Sequence, residues 1–397
     1  MNLRQREILQ YLGTKFVTAF SKLFYIFPIK NNKVIFTSYA GKQYAGSPKY
    51  LSEYLKRCYK DKFSIVWVLR DKENGRREDT VVKFLSLSHY YHFITSKVIV
   101  DNIGMPTYMP KRKGQYVINT WHGGGAYKDC SPKSFKKSKY KIKMDIKKTR
   151  NTNLVLSSCN VFSERVVSDI VYKYSGEVMS SGLPRNDIVL NGNQAEIREK
   201  VCRKLNLSPE SVIILYAPTF RGDLNVIGGS VSEKSVNLDI DIKKVISTVE
   251  ERYRKKVAVL FRKHHALKID NNIENVIDAT SYPDMQELLC AADILISDYS
   301  STIWDFSLTK KPCFLYCPDL DYYLNEDRGV YTPIETWPGI LCRTNSELEQ
   351  AILNFDEAEY VKKVEKHHKD MGSYETGHAC EQVCKRIAEV CGIEEKS

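Results

Sequence analysis

The sequence lacks the long apolar segments that membrane-spanning helices need. No run approaches the roughly 20 apolar residues that cross a bilayer. The first apolar residues are interleaved with basic ones and lack a small-residue cleavage site, which is not typical of a secretory signal peptide. These basic residues are Arg4, Arg6, Lys15 and Lys22. We therefore expect neither a transmembrane helix nor a signal peptide.

Paired cysteine spacing is also missing. The 11 cysteines are scattered singly, whereas disulfide frameworks and zinc sites use paired spacings. Cys380 and Cys384 lie near three histidines, which raises a metal cluster as an alternative, but their C-x-x-x-C spacing favours packing within a helix. The histidines are His367, His368 and His378. No carboxylate cluster typical of Mg²⁺ sites stands out. The prediction is a protein of the reducing cytoplasm with no cofactor and no metal site.

Acidic residues are fewer than basic ones, 48 against 60, and the formal net charge is +12. This charge favours an anionic partner: nucleic acid, a phosphorylated substrate or the anionic face of a membrane. Residues 133–150 contain nine Lys or Arg and one acid, Asp145. This run is interpreted either as a solvated, mobile face or as a basic funnel for a polyanionic or membrane-bound acceptor. No aromatic-bearing RNA motif appears, so nucleic acid is not the expected partner.

Apolar residues recur at helical spacing in the first 30 residues, with basic residues between them. This pattern suits an interfacial helix lying on a membrane and a core-packing helix about equally well. The apolar positions are Ile8, Leu9, Leu12, Phe16, Phe20, Leu23, Phe24 and Phe27.

Beyond this segment, short β-rich runs alternate with helical patterns, and 397 residues exceed what one core usually supports. We predict an α/β protein of two Rossmann-like domains with parallel sheets. The expected boundaries are 1–30 for the helical segment, 31–190 and 191–375 for the two domains, and 376–397 for a C-terminal helix. Predicted strands are Lys33–Ser38, Phe63–Leu69, Val81–Leu85, Val98–Asn102, Tyr116–Thr120, Asn153–Ser157, Val178–Ser181, Val212–Ala217, Val257–Phe261, Val276–Asp278, Ile294–Ser297 and Pro312–Tyr316.

One predicted strand leads directly into a histidine and three glycines. His122 can accept a proton near neutral pH. Gly123, Gly124 and Gly125 lack the Cβ atoms that would keep a phosphate from the backbone, and Lys128 adds a positive charge. The alternative is a glycine turn beside a structural histidine, because short glycine motifs often match by chance.

In the second predicted domain, strand after strand ends in polar or cationic residues. The carboxyl ends of parallel strands meet at one edge, where α/β sheets bind their ligands. Hydroxyls at a helix N-terminus would add anion-binding groups, although the same hydroxyls can serve as an ordinary N-cap. The residues concerned are Arg221, Arg262, His264, Ser300, Ser301 and Thr302.

Six motifs together resemble the CDP-glycerol glycerophosphotransferases, which build teichoic acids and related polyol-phosphate polymers. They occur in the family's order and cover most of the chain from Gly41 to Ile352. The motifs are Thr120-Trp-His-Gly123, Gly182-Leu-Pro-Arg-Asn-Asp187, Tyr216-Ala-Pro-Thr-Phe-Arg221, Arg262-Lys-His264, Ser297-Asp-Tyr-Ser-Ser301 and the weaker Trp337-Pro-Gly339.

This resemblance implies a GT-B fold, with two Rossmann-like domains facing a central cleft. It implies that His122 is the general base, that His264 is a second catalytic residue, and that Arg262, Ser300 and Ser301 hold a diphosphate with His264. Further substrate contacts are expected from Thr302, Arg221, Asp298, Gly123, Gly124, Lys128, Pro218, Thr219 and Arg185. Phosphoryl-type transfer fits such a site, because it depends on positioning and charge stabilisation.

The resemblance also implies the substrates. Glycerol phosphate would pass from CDP-glycerol to a hydroxyl of an anionic or lipid-linked glycan, releasing CMP, on the inner face of the cell membrane. CDP-ribitol is the close alternative donor, and a GT-B glycosyltransferase using a sugar nucleotide is a second enzyme class. Many family members have Gly-Thr-Pro-Leu-Lys where this chain has Gly123–Lys128, and His265 replaces a usual proline. These departures leave open the acceptor and whether His264 or His265 faces the site. A homo-oligomer also stays open.

Overall fold

The structure is a computed structural model that describes residues 3–76, 78–131, 139–170, 174–219, 240–262, 276–327 and 329–394. Its helices are α1 (Leu3–Ser21), α2 (Gly46–Tyr59), α3 (Leu87–Thr95), α4 (Lys139–Asn151), α5 (Val167–Ile170), α6 (Asp187–Asn191), α7 (Gln194–Leu205), α8 (Ile242–Tyr253), α9 (Met285–Ala291), α10 (Thr302–Ser307), α11 (Leu320–Tyr322), α12 (Asn345–Leu353), α13 (Glu357–Met371) and α14 (Ala379–Cys391).

The first sheet has seven parallel strands in the order β3-β2-β1-β4-β5-β6-β7. The order reverses at β1, which pairs with β2 on one side and with β4 on the other. Such a switch point is where open α/β sheets bind ligands, outside the carboxyl ends of the strands. The strands are β1 (Lys30–Thr37), β2 (Ser64–Leu69), β3 (Thr80–Lys83), β4 (Ser96–Asp101), β5 (Tyr116–Asn119), β6 (Leu154–Leu156) and β7 (Glu177–Met179).

Helices cover both faces of this sheet, which explains why its strands are nearly continuous apolar runs. Leu51 and Leu55 of α2 pack with Ile387 of α14 on one face. Phe93 and Ile94 of α3 belong to the core cluster on the other face. The site at the strand ends is therefore supported by a core on each side of the sheet.

The second sheet has six parallel strands in the order β10-β9-β8-β11-β12-β13, with its switch point between β8 and β11. Its central strands are fully buried. The strands are β8 (Val212–Tyr216), β9 (Val257–Phe261), β10 (Val276–Asp278), β11 (Ile294–Ser297), β12 (Cys313–Tyr316) and β13 (Ile340–Cys342).

Internal contacts divide the chain into two compact units, and each unit is built from segments that are separated in the sequence. The first unit comprises Met1–His122, Cys130–Asp187 and Tyr374–Ser397, and the second comprises Gly123–Asp129 and Ile188–Ser373. The C-terminal helix α14 belongs to the first unit, where Asp187 accepts hydrogen bonds from the backbone N–H of Ala379 (3.0 Å) and Cys380 (2.7 Å). The predicted boundaries did not place Gly123–Asp129 in the second unit or Tyr374–Ser397 in the first.

The two parallel sheets confirm the predicted α/β fold class. The predicted strands all occur, most of them one or two residues shorter at an end. The sequence patterns did not predict β13 or the helices α6, α11, α12 and α13. The basic run was interpreted as a solvated, mobile face or as a basic funnel, and neither interpretation included a helix, whereas residues 139–151 form α4 and the preceding residues, 132–138, lie outside the described chain.

The N-terminal segment divides its apolar side chains between two environments. Val17, Phe24 and Tyr25 pack against the core of the first unit. Phe16 and Ile26, by contrast, are 76% and 82% exposed. The core-packing interpretation therefore holds for the first three residues, and the membrane interpretation of the exposed residues stays a prediction. Among the described helices, none combines enough length and hydropathy to cross a bilayer.

Candidate functional site

His122 lies just beyond the carboxyl end of β5, and one backbone contact sets its tautomer. Its Nδ1 is 3.0 Å from the carbonyl oxygen of Asn102, which follows β4. Because a carbonyl can only accept, Nδ1 must carry the proton, and the lone pair of Nε2 is then available to accept one. This arrangement suits a general base.

Asn102 is itself fixed by residues that follow β1. Its Oδ1 accepts from the Tyr39 backbone N–H (2.8 Å), and its Nδ2 donates to the Ser38 hydroxyl (3.0 Å). The Tyr39 ring lies edge-on to the His122 ring, with 6.3 Å between centroids. Three strand ends of the first sheet thus hold the histidine in one orientation.

The His122 imidazole is neutral at physiological pH. Desolvation by the surrounding protein lowers the pKa of the ring to about 4, although His122 as a whole residue is exposed. The Asn102 carbonyl opposes this shift, and the charge of Arg185 adds to it. A histidine base is needed in its unprotonated form, so this environment keeps it ready to act.

Arg185 is buried and holds the backbone at His122. It lies in the 3₁₀ turn Pro184–Asn186, and its Nη1 donates to the His122 carbonyl oxygen (2.6 Å). Trp121, the preceding residue, has a positive φ of 55°, a conformation that costs energy for a bulky side chain. The Arg185 contact helps to hold this turn in place.

The glycines after His122 belong to the second unit, where close packing explains two of them. A Cβ on Gly124 would lie 2.0 Å from Cδ1 of Trp304, and Gly125 has a φ of +64°. No side chain fits at Gly124 without displacing the indole. Gly123 is buried, and Lys128 pairs with Val330 in an antiparallel bridge. These glycines therefore have a structural role whether or not they approach a phosphate.

Asp298 joins the two strand ends at the switch point of the second sheet. Its carboxylate accepts from the backbone N–H of Thr219 (3.0 Å) and of Tyr299 (2.6 Å), and also from the Thr219 hydroxyl. Asp298 is 2% exposed, and Pro218 is buried beside Thr219. These residues fix the loop after β8 to the loop after β11, so Asp298 and Thr219 act as supports in this structure.

The hydroxyls that follow Asp298 lie at the start of α10. Ser300 Oγ accepts from the Thr302 backbone N–H (3.2 Å) and lies 2.8 Å from Thr302 Oγ1. Ser301 makes no side-chain cap. All three residues are partly exposed. Hydroxyls and amides at such a turn can donate to phosphate oxygens.

Arg262 follows β9 at the same edge of the second sheet. Its Nη1 donates to the carbonyl oxygens of Tyr282 (2.7 Å) and Ala279 (3.4 Å), which fix the direction of the guanidinium group. Arg221 and His264 fall outside the described residues, as does His265. The second unit therefore brings Arg262 and the α10 hydroxyls to the same edge of its sheet, at the ends of β9 and β11, with β8 between them.

Sequence reasoning missed Asn102, Tyr39 and Ser38. Asn102 acts through a backbone carbonyl, which leaves no mark on the side-chain pattern. A signal was nevertheless present, because Asn102 is a polar residue at the end of a predicted strand. Asp101 beside it is fully buried, and desolvation raises its pKa to about 7.

The family model described as CDP-glycerol:poly(glycerophosphate) glycerophosphotransferase matches residues 19–389. A teichoic acid poly(glycerol phosphate) polymerase of Staphylococcus epidermidis is 28% identical in an alignment of 371 residues that covers 89% of this chain and 50% of that protein. A teichoic acid glycerol-phosphate transferase of Staphylococcus aureus is 28% identical in an alignment of 368 residues that covers 90% of this chain and 92% of that protein. The chain thus spans half the length of the first relative and most of the second.

Among solved structures, the wall teichoic acid polymerase TagF superposes with a TM-score of 0.79 at 24% identity. The match covers 99% of both chains, and that structure is a histidine-to-asparagine variant soaked with CDPG. This similarity agrees with the two parallel sheets described above and supports the GT-B fold.

Proposed function

Because the chain belongs to the CDP-glycerol:poly(glycerophosphate) glycerophosphotransferase family, we propose that it transfers glycerol phosphate from CDP-glycerol to a hydroxyl of a teichoic-acid-like acceptor. The single observation that carries this proposal is the His122 geometry. Its Nδ1 is committed to the Asn102 carbonyl, so Nε2 can accept the proton of an attacking hydroxyl. The pKa of about 4 keeps it unprotonated at neutral pH.

In the proposed reaction, the acceptor oxygen forms a bond to the β-phosphorus of CDP-glycerol. The bond from that phosphorus to the bridging oxygen breaks, and CMP leaves with the electron pair. The acceptor proton passes to Nε2 of His122 and then to solvent. No redox partner is needed, and the charges balance without a covalent enzyme intermediate.

The second unit would hold the diphosphate of the donor. Arg262 supplies a fixed cation and Ser300, Ser301 and Thr302 supply hydroxyl donors at the start of α10. Charge-assisted hydrogen bonds of this kind stabilise phosphate oxygens most strongly where water is excluded. Arg221 and His264 remain further proposed ligands of the same diphosphate.

Identifying the released nucleotide tests this proposal. CDP-glycerol, CDP-ribitol and a UDP-sugar are incubated separately with the protein and a membrane extract that supplies acceptor. We expect CMP from CDP-glycerol and transfer of its glycerol phosphate to the acceptor. CMP from CDP-ribitol alone would change the donor, whereas UDP alone would make the protein a glycosyltransferase. No release from any donor would refute the proposed activity.

We also propose that the first unit binds the inner face of the cell membrane, where a lipid-linked acceptor is found. The apolar side chains exposed on α1 and on the following turn Lys22–Ile26 support this. Helix α4 contacts α1 and carries six basic residues against one acid. An apolar face beside a basic one is typical of helices that lie on anionic lipid.

Sedimentation with lipid vesicles tests the membrane proposal. Vesicles containing phosphatidylglycerol should bind the wild type more strongly than vesicles of phosphatidylcholine alone, and salt should weaken the binding. A Phe16→Glu/Ile26→Glu variant should lose most of it. Tyr322→Glu, at a similarly exposed position in the second unit, is the control. Equal binding by all three proteins would contradict the proposal.

A further inference from the structure

The N-terminus of α2 has the properties of an anion site that no motif above assigns. This helix begins at Gly46, directly after the loop that follows β1, at the switch point of the first sheet. It has no side-chain N-cap and no acidic residue in its first turn. The first-turn N–H groups of a helix lack intrahelical acceptors and carry a partial positive charge. An anion is therefore favoured at this end of α2.

Ser47 provides an independent indication of a ligand. It is the second residue of α2 and only 1% exposed, yet its hydroxyl has no hydrogen-bond partner among the described residues. A buried hydroxyl without a partner destabilises the fold. Side chains of a helix lean toward its N-terminus, so this hydroxyl lies at the same end of α2 as the first-turn N–H groups. A bound acceptor atom would satisfy it.

The first turn also contains a buried cation. Lys49 is 8% exposed, and its Nζ lies 4.8 Å from the centroid of the Tyr50 ring. The charge of Lys49 adds to the partial positive charge of this helix end.

This site adjoins the residues that hold His122. A Cβ on Gly46 would lie 3.5 Å from Nδ2 of Asn102 and 3.8 Å from the Tyr39 hydroxyl. Asn102 in turn holds His122 through its carbonyl, and the Tyr39 ring neighbours the imidazole. All of these residues belong to the first unit. An anion at α2 would therefore be part of the molecule whose hydroxyl His122 deprotonates.

We infer that the N-terminus of α2, with the Ser47 hydroxyl, binds a phosphodiester group of the acceptor. This inference rests on the proposed function for the identity of the acceptor. The phosphodiester next to the terminal glycerol would occupy the α2 site and position the reacting hydroxyl at His122. The site thereby selects acceptors that already carry glycerol phosphate.

Two matched acceptors test this inference. One ends in glycerol joined through a phosphodiester, and the other has that group replaced by an uncharged methyl phosphotriester. The wild type should prefer the charged acceptor about tenfold or more in kcat/KM, because hydrogen bonds to a charged group are strong. Ser47→Asp, which places a fixed negative charge at the helix end, should abolish the preference while leaving KM for CDP-glycerol unchanged.

Ser346→Asp is the matched control, because Ser346 is the second residue of α12 and is exposed in the second unit. It should keep the wild-type preference. A preference retained in Ser47→Asp, or a raised KM for CDP-glycerol in that variant, would overturn the inference. Because Ser47 is buried, a carboxylate at this position is costly to the fold. Should Ser47→Asp fail to fold, Ser47→Ala should reduce the preference about threefold or more.

A binding measurement separates this inference from the proposed function. If the wild type uses none of the donors, glycerol 3-phosphate is titrated into the wild type and into Ser47→Asp, with binding followed by calorimetry. Weaker binding to Ser47→Asp would support the anion site even without the transferase activity. Equal binding, or none to either protein, would overturn it.

Discussion

The switch points of the two sheets are equipped for different tasks. In the first unit, the residues after β4 and β5 hold one imidazole in one tautomer, with Asn102 as the acceptor for His122. In the second, Asp298 ties Thr219 to the loop before α10, whose hydroxyls remain partly exposed. The comparison agrees with the proposal that the first unit moves a proton and the second holds negative charge.

Removing the imidazole should have the largest effect on activity. His122→Ala is expected to lower the rate of CMP release about 10²–10⁴-fold, the usual contribution of a general base. Binding of CDP-glycerol should change little, because the donor is assigned to the second unit. Steady-state kinetics and calorimetry measure the two quantities. His378→Ala, an exposed histidine of the first unit, should retain wild-type activity, and a similar loss in both variants would contradict the assignment.

Substituting Arg262 in the second unit should mainly impair the use of CDP-glycerol. Arg262→Gln is expected to lower kcat/KM for CDP-glycerol about 10- to 100-fold, because it removes charge-assisted hydrogen bonds to the diphosphate. KM for the acceptor should stay within about twofold of the wild-type value. Arg262→Lys keeps the charge but loses the planar guanidinium group. Its kcat/KM for CDP-glycerol should therefore lie between the values of the wild type and of Arg262→Gln. If Arg262→Gln mainly raised KM for the acceptor, the assignment of donor binding to the second unit would be contradicted.

The strand ends at which these residues lie could be predicted because parallel, doubly covered strands are apolar runs followed by polar residues. His122 and Arg262 were identified in this way. The short strand β13, with three residues, gives too weak a pattern. The return of α14 to the first unit depends on packing against residues more than 300 positions away in the chain, such as the Cys384 thiol against the Leu51 carbonyl.

The site was predictable only in part for a similar reason. Residues that act through side chains left a motif, but Asn102 acts through its carbonyl, and the inferred role of Ser47 rests on the burial of its hydroxyl. The reason for Gly124 also differs from the one expected, since it is the Trp304 ring that excludes a side chain there. Sequence patterns report residue types, whereas these roles depend on distances.

The Asp298 support should be measurable as stability. Asp298→Asn keeps the shape of the side chain but loses the charge that accepts from Thr219 and Tyr299, and it places an amide donor among these donors. We expect a loss of about 2 kcal/mol in the free energy of unfolding, measured by urea denaturation. Asp370→Asn, which disturbs only an exposed pair with Lys366, should cost less than about 0.5 kcal/mol. Equal losses would show that Asp298 is no support.

Acid should destabilise both units through buried neutral histidines. Burial lowers the pKa of His89 in the first unit and of His367 in the second to about 4. The unfolded chain binds these protons near pH 6.5, so stability is full above that value and falls as the pH decreases toward 4. The expected loss is about 1.4 kcal/mol per histidine over the first pH unit. Urea denaturation of His367→Gln should show a shallower pH dependence than the wild type, and an identical slope would contradict this.

The pH dependence of kcat/KM for CMP release tests the central claim most directly, namely that His122 acts as a base that is already neutral. Neither a diphosphate diester nor a phosphodiester titrates between about pH 5.5 and about pH 8, so the profile reports the enzyme. The account predicts a flat profile over this range, with loss of activity only as the pH approaches 4. A rise in activity with a midpoint near 6.5, the ordinary value for histidine, would contradict it.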